Sequence, residues 1–572
     1  MKKHLLIHGA CCLSFLLPAL AVAQSAATAT VPTANQLHSA PNAAVSATFS
    51  QALGVGAAAA LKVHSMQRGG MRAGHTGVVS TNGNTLTFAP TYGFSAGEVI
   101  SVTAIAGVKN TAGQAIIPPY SWQFVVAATG PGRGYFSTGS DPVLFTGSKT
   151  IVAGDVDNDG DMDMLSANIG DQTVNVCLNN GQGVFSLAPS NPSPSVRNNP
   201  YGLALGDLDN DGDLDFVTAN VNDRSVSVRL NDGTGNFTPH PLHPEVAVAY
   251  GPTDIALGDL DGDGDLDFVT SSQAVYGRLS VRLNNGTGTF VAAADVQVGS
   301  SPQGVTLGDI DGDGDLDIAA ANVSSNSVSI RVNNGSASFA DPTVGAELPV
   351  GMFPELVVLR DADGDGDVDL FTANNHDGTV SLRLNNGQGL FTAPATGAEI
   401  TVGGYPKGLA LGDVDSDGDI DLVVNTNTIA LYFNDGQGLF SSAPYNAIPI
   451  SNGCGGNIAL SDLDGDGDLD FLGPNAGGGA FIRLNGSSRV LATAPANQPE
   501  SALVVSPNPA RSVLRVAGLA AQCPVCLFDV AGRLVYTLPY PGDHALLTLP
   551  DGLPRGFYIL RSGPQSRRLL LE

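Results

Sequence analysis

Seven nine-residue stretches carry the chemistry open to this chain. Each reads Asp-x-Asp-x-Asp-Gly-Asp-x-Asp. The first three comprise Asp155, Asp157, Asp159, Asp161 and Asp163; Asp207, Asp209, Asp211, Asp213 and Asp215; and Asp259, Asp261, Asp263, Asp265 and Asp267. The next two comprise Asp309, Asp311, Asp313, Asp315 and Asp317; and Asp361, Asp363, Asp365, Asp367 and Asp369. The last two comprise Asp413, Asp415, Asp417, Asp419 and Asp421; and Asp462, Asp464, Asp466, Asp468 and Asp470. Their first aspartates are 52, 52, 50, 52, 52 and 49 residues apart, and a near-constant period of that size marks a repeat architecture.

Acidic side chains at alternate positions can converge on one point, and glycine at the sixth allows the sharp turn that brings them together. This is the opening of an EF-hand calcium loop. In the second copy Asp207, Asp209, Asp211 and Asp215 are expected to ligate through side chains and Asp213 through its carbonyl. Position twelve, a glutamate in an EF-hand, is here Ser166, Thr218 or Thr270, so the ninth-position aspartate must close the site. Five carboxylates in nine residues repel one another unless a cation neutralises them. A metal-free solvated turn is the competing reading, and seven copies count against it. Magnesium prefers a small, water-rich octahedral shell, whereas calcium takes six to eight oxygens. The expected cofactor is therefore calcium, about one ion for each of the seven loops. Such ions are usually structural, so no catalysis follows from them.

The loops must be held by strands. Leu203-Ala204-Leu205 precedes the second loop and Phe216-Val217-Thr218 follows it; both are short apolar runs without helical spacing. Each period holds four strand candidates: 202–206, 214–219, 226–230, and one opening at Asn236-Phe237 after the Asn231-Asp232-Gly233-Thr234-Gly235 turn. Four strands per period of this size is the pattern of a propeller blade, and residues 131–487 are read as seven blades. The Gly-Asp entry, the Asp-rich loop and the Asn-Gly-x-Gly-x-Phe turn resemble the FG-GAP-like repeats, the family that includes the integrin α-chain propeller. The seventh copy stops at Arg483-Leu484-Asn485-Gly486 without its Gly-x-Phe strand. That piece stands at the front as Gly134-Tyr135-Phe136, so residues 131–147 are expected to complete the last blade.

The fold class expected is all-β: a seven-bladed propeller flanked by two small β-sandwiches. Residues 1–23 read as a secretory signal, with Lys2 and Lys3, an apolar run and Ala21-Val22-Ala23 before the cut. Residues 24–40 read as a linker. Residues 41–127 alternate as a small sandwich and resemble a bacterial Ig-like domain through Phe88-Ala89-Pro90, Ser95-Ala96-Gly97-Glu98 and the run 108–113. Residues 488–500 read as a second linker. Residues 501–572 resemble the sorting domain of type IX secretion, through Ser506-Pro507-Asn508-Pro509-Ala510, the run 527–535 and the run 553–560. The resemblance implies export through the periplasm to the surface or medium, with the type IX machinery as partner.

The formal net charge is −28, and the seven loops hold 35 of the 54 acidic residues. Seven divalent cations would halve that charge, but the balance still excludes nucleic acid, whose phosphates need a basic surface. After signal removal no stretch is apolar and long enough to span a bilayer. Cys523 and Cys526 form a C-x-x-C, read as a local disulfide or two free thiols; Cys177 and Cys454 fall in blades that a closed ring makes neighbours. His240 and His243 read as surface residues. No nucleophile elbow, zinc motif or phosphate loop is present, so no catalytic residue is assigned.

Three functions compete: a calcium-binding module that binds or adheres to an extracellular protein or glycan, a polysaccharide lyase or hydrolase, and a structural spacer. The first is preferred, because the His, Arg, Lys and Tyr residues that catalysis would need are sparse. All loops joining first to second strands share one face. Variation between repeats falls on the other, where interblade segments hold Tyr201, Tyr250, Phe353, Tyr405 and Lys407, the expected ligand face. Packing of these aromatics between blades is the alternative.

Overall fold

The structure, a computed structural model, describes residues 27–105, 109–113, 119–139, 141–142, 147–249, 251–426, 428–443, 448, 450 and 455–486. In the C-terminal part it describes residues 504–506, 513–517, 525–528, 534–538, 544–548, 553, 555–562 and 565–571. The 1–23 signal, the 488–500 linker, Tyr250, Cys454 and Cys523 lie outside the described residues. Turn-rich spacing and β-branched runs leave little room for helix. Among the described residues the only helical segment is a 3-10 turn at Ala57–Ala60, and no helix is long and apolar enough to cross a membrane.

The first domain packs two sheets. One has the order β1 (Ala27–Val31), β2 (Val45–Phe49), β5 (Thr85–Pro90), β4 (Gly77–Asn82); the other is β3 (Leu61–Ser65), β6 (Val99–Ala104), β7 (Tyr120–Val125). Alternate residues of each strand, among them Val45, Ala47, Phe49, Leu86, Phe88, Val102 and Phe124, meet in one core with Trp122. The domain starts earlier than expected. β1 lies inside the stretch read as a linker and pairs antiparallel with β2, because its Thr-rich sequence gives an edge strand that composition alone does not separate from a spacer.

Seven sheets follow. The first runs β9 (Ser148–Gly154), β10 (Asp163–Asn168), β11 (Thr173–Leu178), β12 (Ser186–Leu187) in antiparallel order. The second repeats it as Pro200–Gly206, Asp215–Asn220, Ser225–Leu230 and Thr238–Pro239. Sheets three to six begin at Pro252, Pro302, Pro354 and Gly408, and the seventh at Ala459. The second strands are buried at every position in all seven sheets, which is why they read as continuous apolar or small runs rather than alternating ones. The first strand of each sheet lies beside that of the next, and that of the seventh lies beside β9.

The seventh sheet has no fourth strand of its own. It takes β8 (Ser137–Thr138), which pairs antiparallel with Ala480–Leu484. Gly134 N–H donates to Val414 O at 2.9 Å just as Gly235 N–H donates to Val156 O at 2.9 Å. Phe136 packs on Phe471 at 4.6 Å between centroids, as Phe237 packs on Phe216 at 4.9 Å. The front segment thus occupies the place that the seventh repeat leaves open.

Residues 489–572 form a separate compact unit. Its described strands make a three-stranded sheet (Val504–Ser506, Val513–Ala517, His544–Thr548) and a four-stranded one (Leu534–Leu538, Val525–Phe528, Gly556–Ser562, Gln565–Leu571).

Asp141, just after β8, binds Arg483 at 2.7 Å, and the arginine is only 4% exposed. Asp141→Ala leaves that guanidinium buried without its carboxylate and is expected to destabilise the repeat region by about 3 kcal/mol. A urea midpoint measured with and without the substitution checks this.

Candidate metal centres

Each loop leaves its first strand through a glycine or a polar residue and re-enters the sheet at the ninth-position aspartate. Positions two and eight are apolar and buried, as with Leu208 and Leu214, so the odd positions are turned together on the other side. The fourth and sixth positions are left-handed: Asn210 has φ 62° and Gly212 φ 97°. Asparagine tolerates that region and glycine is at ease in it, which explains Asn or Gly at the fourth position in six loops and invariant glycine at the sixth.

The ninth aspartate is the anchor. One carboxylate oxygen accepts the main-chain N–H of position two at 2.8–3.0 Å in all seven loops. The other accepts the N–H of the asparagine ending the third strand, at 2.6–3.1 Å. The first aspartate accepts the sixth-position glycine N–H at 2.9–3.2 Å. The fifth accepts the N–H of the seventh at 2.9–3.2 Å.

These bonds bring carboxylate oxygens to within 4.8 Å of one another in Asp155, Asp157 and Asp163; in Asp207, Asp209 and Asp215; and in Asp309, Asp311 and Asp317. Asp259, Asp261 and Asp263, and Asp361, Asp363 and Asp365, gather in the same way. The third-position Oδ1 of Asp209, Asp311, Asp363, Asp415 and Asp464 is buried with no hydrogen-bond donor. A buried carboxylate oxygen without a donor is costly, and a cation in the cluster supplies what the protein does not. The residues therefore fit a hard divalent ion.

The seventh-position side chains pack against nearby backbone. Those of Asp161, Asp213, Asp265, Asp315, Asp367 and Asp419 lie against a glycine of the turn after the third strand, so close that a Cβ there would come within 2.5–2.7 Å. Asp468 lies against Gly130 and Gly132.

The loop face is covered. The first domain sets its β3–β4 connection on loops one and two: Asp155 N–H donates to Gln67 O at 2.7 Å, Arg68 lies 3.6 Å from Asp155, and Met71 N–H donates to Asp207 Oδ2 at 2.9 Å. A Cβ on Gly70 would stand 2.4 Å from that of Asp207. His64 Nε2 bonds Gly264 O in loop three at 2.9 Å, and Ser121 N–H donates to Gly314 O in loop four at 2.6 Å. Buried Glu98 holds the connection in shape by accepting from Ser65 Oγ and Gln67 N–H. Between it and loops one and two lies a cleft of about 520 Å³ lined by Arg68, His75, Tyr92, Asp159 and Asp211. Sequence reading missed this docking, because each contact pairs a main-chain or side-chain group of the first domain with a loop group far along the chain, and no local pattern marks the pairing.

On the opposite face Tyr405 is 59% and Phe353 43% exposed; Phe353 stacks on His376 at 5.7 Å. Lys407 is exposed, while Tyr201 is half-buried under Lys149, whose Nζ lies 5.4 Å from the ring centroid. Cys177 is a buried free thiol, and His240 is buried and bonded to Thr287 O, unlike the surface position expected for it.

The family described as FG-GAP-like repeat matches residues 155–218, 207–270, 271–320, 309–372, 361–424 and 422–473. That described as bacterial Ig-like domain matches residues 22–126. No curated protein matches the sequence. Among solved structures, BBS1N in complex with ARL6DN, soaked with mercury, is similar at TM-score 0.44 and 12% identity over 62% of this chain and 98% of that one. The same complex soaked with lead gives 0.43 and 12% over the same shares. The exotype rhamnogalacturonan lyase YesX gives 0.37 and 15% over 78% of this chain and 90% of that one. At these scores the likenesses carry no argument.

Burial, opposed by the two N–H donors, raises the ninth aspartates from 3.8 to about 8 in Asp163, Asp317, Asp369 and Asp421. It raises Asp267 and Asp470 to about 9. A folded-state value above the unfolded one means the folded chain holds extra protons between the two, so stability is lost as pH rises through that window. In chelator the repeat region is expected to melt at a lower temperature at about pH 8 than at about pH 6. Added divalent cation, which displaces those protons, should remove most of that difference. Calorimetric scans at both pH values, with and without cation, check the sign.

Proposed function

Because this chain belongs to the FG-GAP-like repeat family, we propose that its seven sheets form a closed seven-bladed β-propeller. In this reading the propeller binds calcium in its loops and presents the face away from them to an extracellular protein or glycan. Closure is supported by the first strands neighbouring one another in a cycle and by β8 completing the seventh sheet. Calcium is supported by the chemistry of the clusters: only oxygen ligands, several of them carboxylates, with main-chain carbonyls at hand.

The observation that carries the binding reading is the coverage of the loop face by the Ig-like domain. It leaves the other face for a partner, and there Phe353, Tyr405 and Tyr276 are exposed beside polar residues. Aromatic side chains in such settings supply contact area at protein and ligand interfaces. The chain is read as a binding module and not an enzyme. The C-terminal unit is proposed as a type IX sorting domain on its three motifs, with the mature protein at the cell surface or in the medium.

At millimolar calcium each extracellular-type site contributes roughly 0.5–1.5 kcal/mol by mass action. Chelation is expected to lower the melting temperature by many degrees, and an unchanged melt rejects calcium. Removing residues 501–572 is expected to hold the protein in the periplasm of a type IX host; arrival of the shortened chain at the surface rejects the sorting role. A glycan and protein binding screen in calcium tests the binding face. Replacing Tyr201, Tyr250 and Tyr405 by Ala should abolish the interaction found, with calcium-dependent melting unchanged.

A further inference from the structure

Loop seven departs from the other six at its seventh position. There the six counterparts of Asp468 are partly exposed. Each turns its carboxylate oxygens to a glycine of the turn after the third strand, 2.5–2.7 Å from where a Cβ would stand. Asp213 and Asp265 also accept from the Nδ2 of Asn158 and Asn210, at 2.8 Å each. Asp468 is only 1% exposed, and neither its Oδ1 nor its Oδ2 meets a hydrogen-bond donor. The fourth position of the preceding loop is Ser416, and its Oγ donates to Gly130 O instead, at 3.1 Å.

Residues 129–132 close over this side chain. Thr129 N–H and Gly130 N–H both donate to Gly467 O, at 2.9 and 2.8 Å. A Cβ on Gly130 would stand 2.2 Å from Asp468 N, and one on Gly132 would stand 2.8 Å from Asp468 Cβ and 3.0 Å from its Cγ. The carbons face the cover, so the oxygens are turned away from it, into the loop. Asp464 Oδ1 is buried there without a donor as well, and Asp466 Oδ1 accepts the Asp468 N–H at 3.2 Å. Loop seven thus holds three buried carboxylate oxygens without a donor, where no other loop has more than one among the described residues. None of the ion pairs among the described residues includes a loop-seven carboxylate.

We infer that Asp468 ligates a cation through its side chain, which makes loop seven a tight calcium site sealed by the front segment of the chain. A buried carboxylate without donors, beside others of the same charge, is held by a cation or by a proton. Ligand charge and rigidity set calcium affinity, and loop seven adds a carboxylate under a fixed cover. The counterpart carboxylates face outward to their turns and add nothing comparable. Without the ion, repulsion among Asp464, Asp466 and Asp468 opposes closure of residues 129–132, the segment that leads into β8. The same ion therefore holds the borrowed strand in place. The inference rests on the calcium reading of the loops and singles out one of the seven sites.

Full-length protein stripped of metal, titrated with calcium in competition with a chromophoric chelator at neutral pH, tests it. One site per chain is expected to bind at least tenfold tighter than the rest, about 1.4 kcal/mol. Asp468→Asn should abolish that tight site and leave the weaker ones. Asp213→Asn, at the same position of loop two, should keep it. Trypsin cleavage after Arg133, exposed in the front segment, should be suppressed by one equivalent of calcium in the parent and not in Asp468→Asn. If Asp468→Asn does not fold, the protection of Arg133 in the parent at one equivalent carries the test alone. A tight site retained in Asp468→Asn, together with a higher melting temperature of that variant in chelator, identifies a proton as the occupant and overturns the inference. Calcium sites that are all alike, or cleavage at Arg133 unchanged by one equivalent, overturn it too, and the calcium reading of the loops then stands. If no calcium binds, both fall.

Discussion

One side-chain hydrogen bond, made seven times, joins the sheets to one another. The asparagine ending each third strand donates its Nδ2–H to the carbonyl of position two in the preceding loop: Asn231 to Val156, Asn284 to Leu208, Asn333 to Leu260, Asn385 to Ile310, Asn434 to Ala362 and Asn485 to Val414, at 2.7–2.8 Å. The set returns on itself, with Asn179 donating to Leu463 at 2.8 Å. Each asparagine is buried, and its own N–H meets the ninth aspartate of its sheet. An aspartate cluster, the sheet that carries it and the neighbouring loop are therefore fixed by one amide. A buried amide with all its partners present holds a single arrangement, and one without them is costly.

That geometry gives the carboxylates two roles. The ninth aspartate serves the fold, and both its oxygens are committed to main-chain donors. The first and third join the cluster; in five loops the third keeps a buried oxygen with no donor, and in loop one the first, Asp155, does. The loops are also the floor on which the Ig-like domain stands, through Gln67, Met71, His64 and Ser121. Charge neutralisation in the loops and the seating of the first domain thus act on the same atoms, Asp155 and Asp207 above all.

Much of this was legible in the chain itself. Five aspartates in nine residues admit few readings, and the missing Gly-x-Phe of the last repeat could be found intact at Gly134-Tyr135-Phe136. What escaped had no local signature. The ring of asparagines looked like turn chemistry, because the N–H and Nδ2 partners sit in other strands. The seat of the Ig-like domain pairs main-chain and side-chain groups that lie far apart along the chain, such as Met71 N–H with Asp207 and His64 with Gly264 O, and no local pattern announces such pairings. The strand at 27–31 hid in Thr and Ala that suit a spacer equally well.

The borrowed strand has a temporal meaning. Ser137 meets Leu484 across 347 residues of chain, and Asn179 reaches Leu463 across 284. Contacts so distant along the chain form late, since the intervening loop must be closed before they repay it. Six sheets can assemble as they are synthesised, but the seam between last and first waits until the final repeat exists. The N-terminal piece must stay available until then. A chain that leaves its seam open while being made, and seals it once complete, reaches its final form only after the last repeat is present.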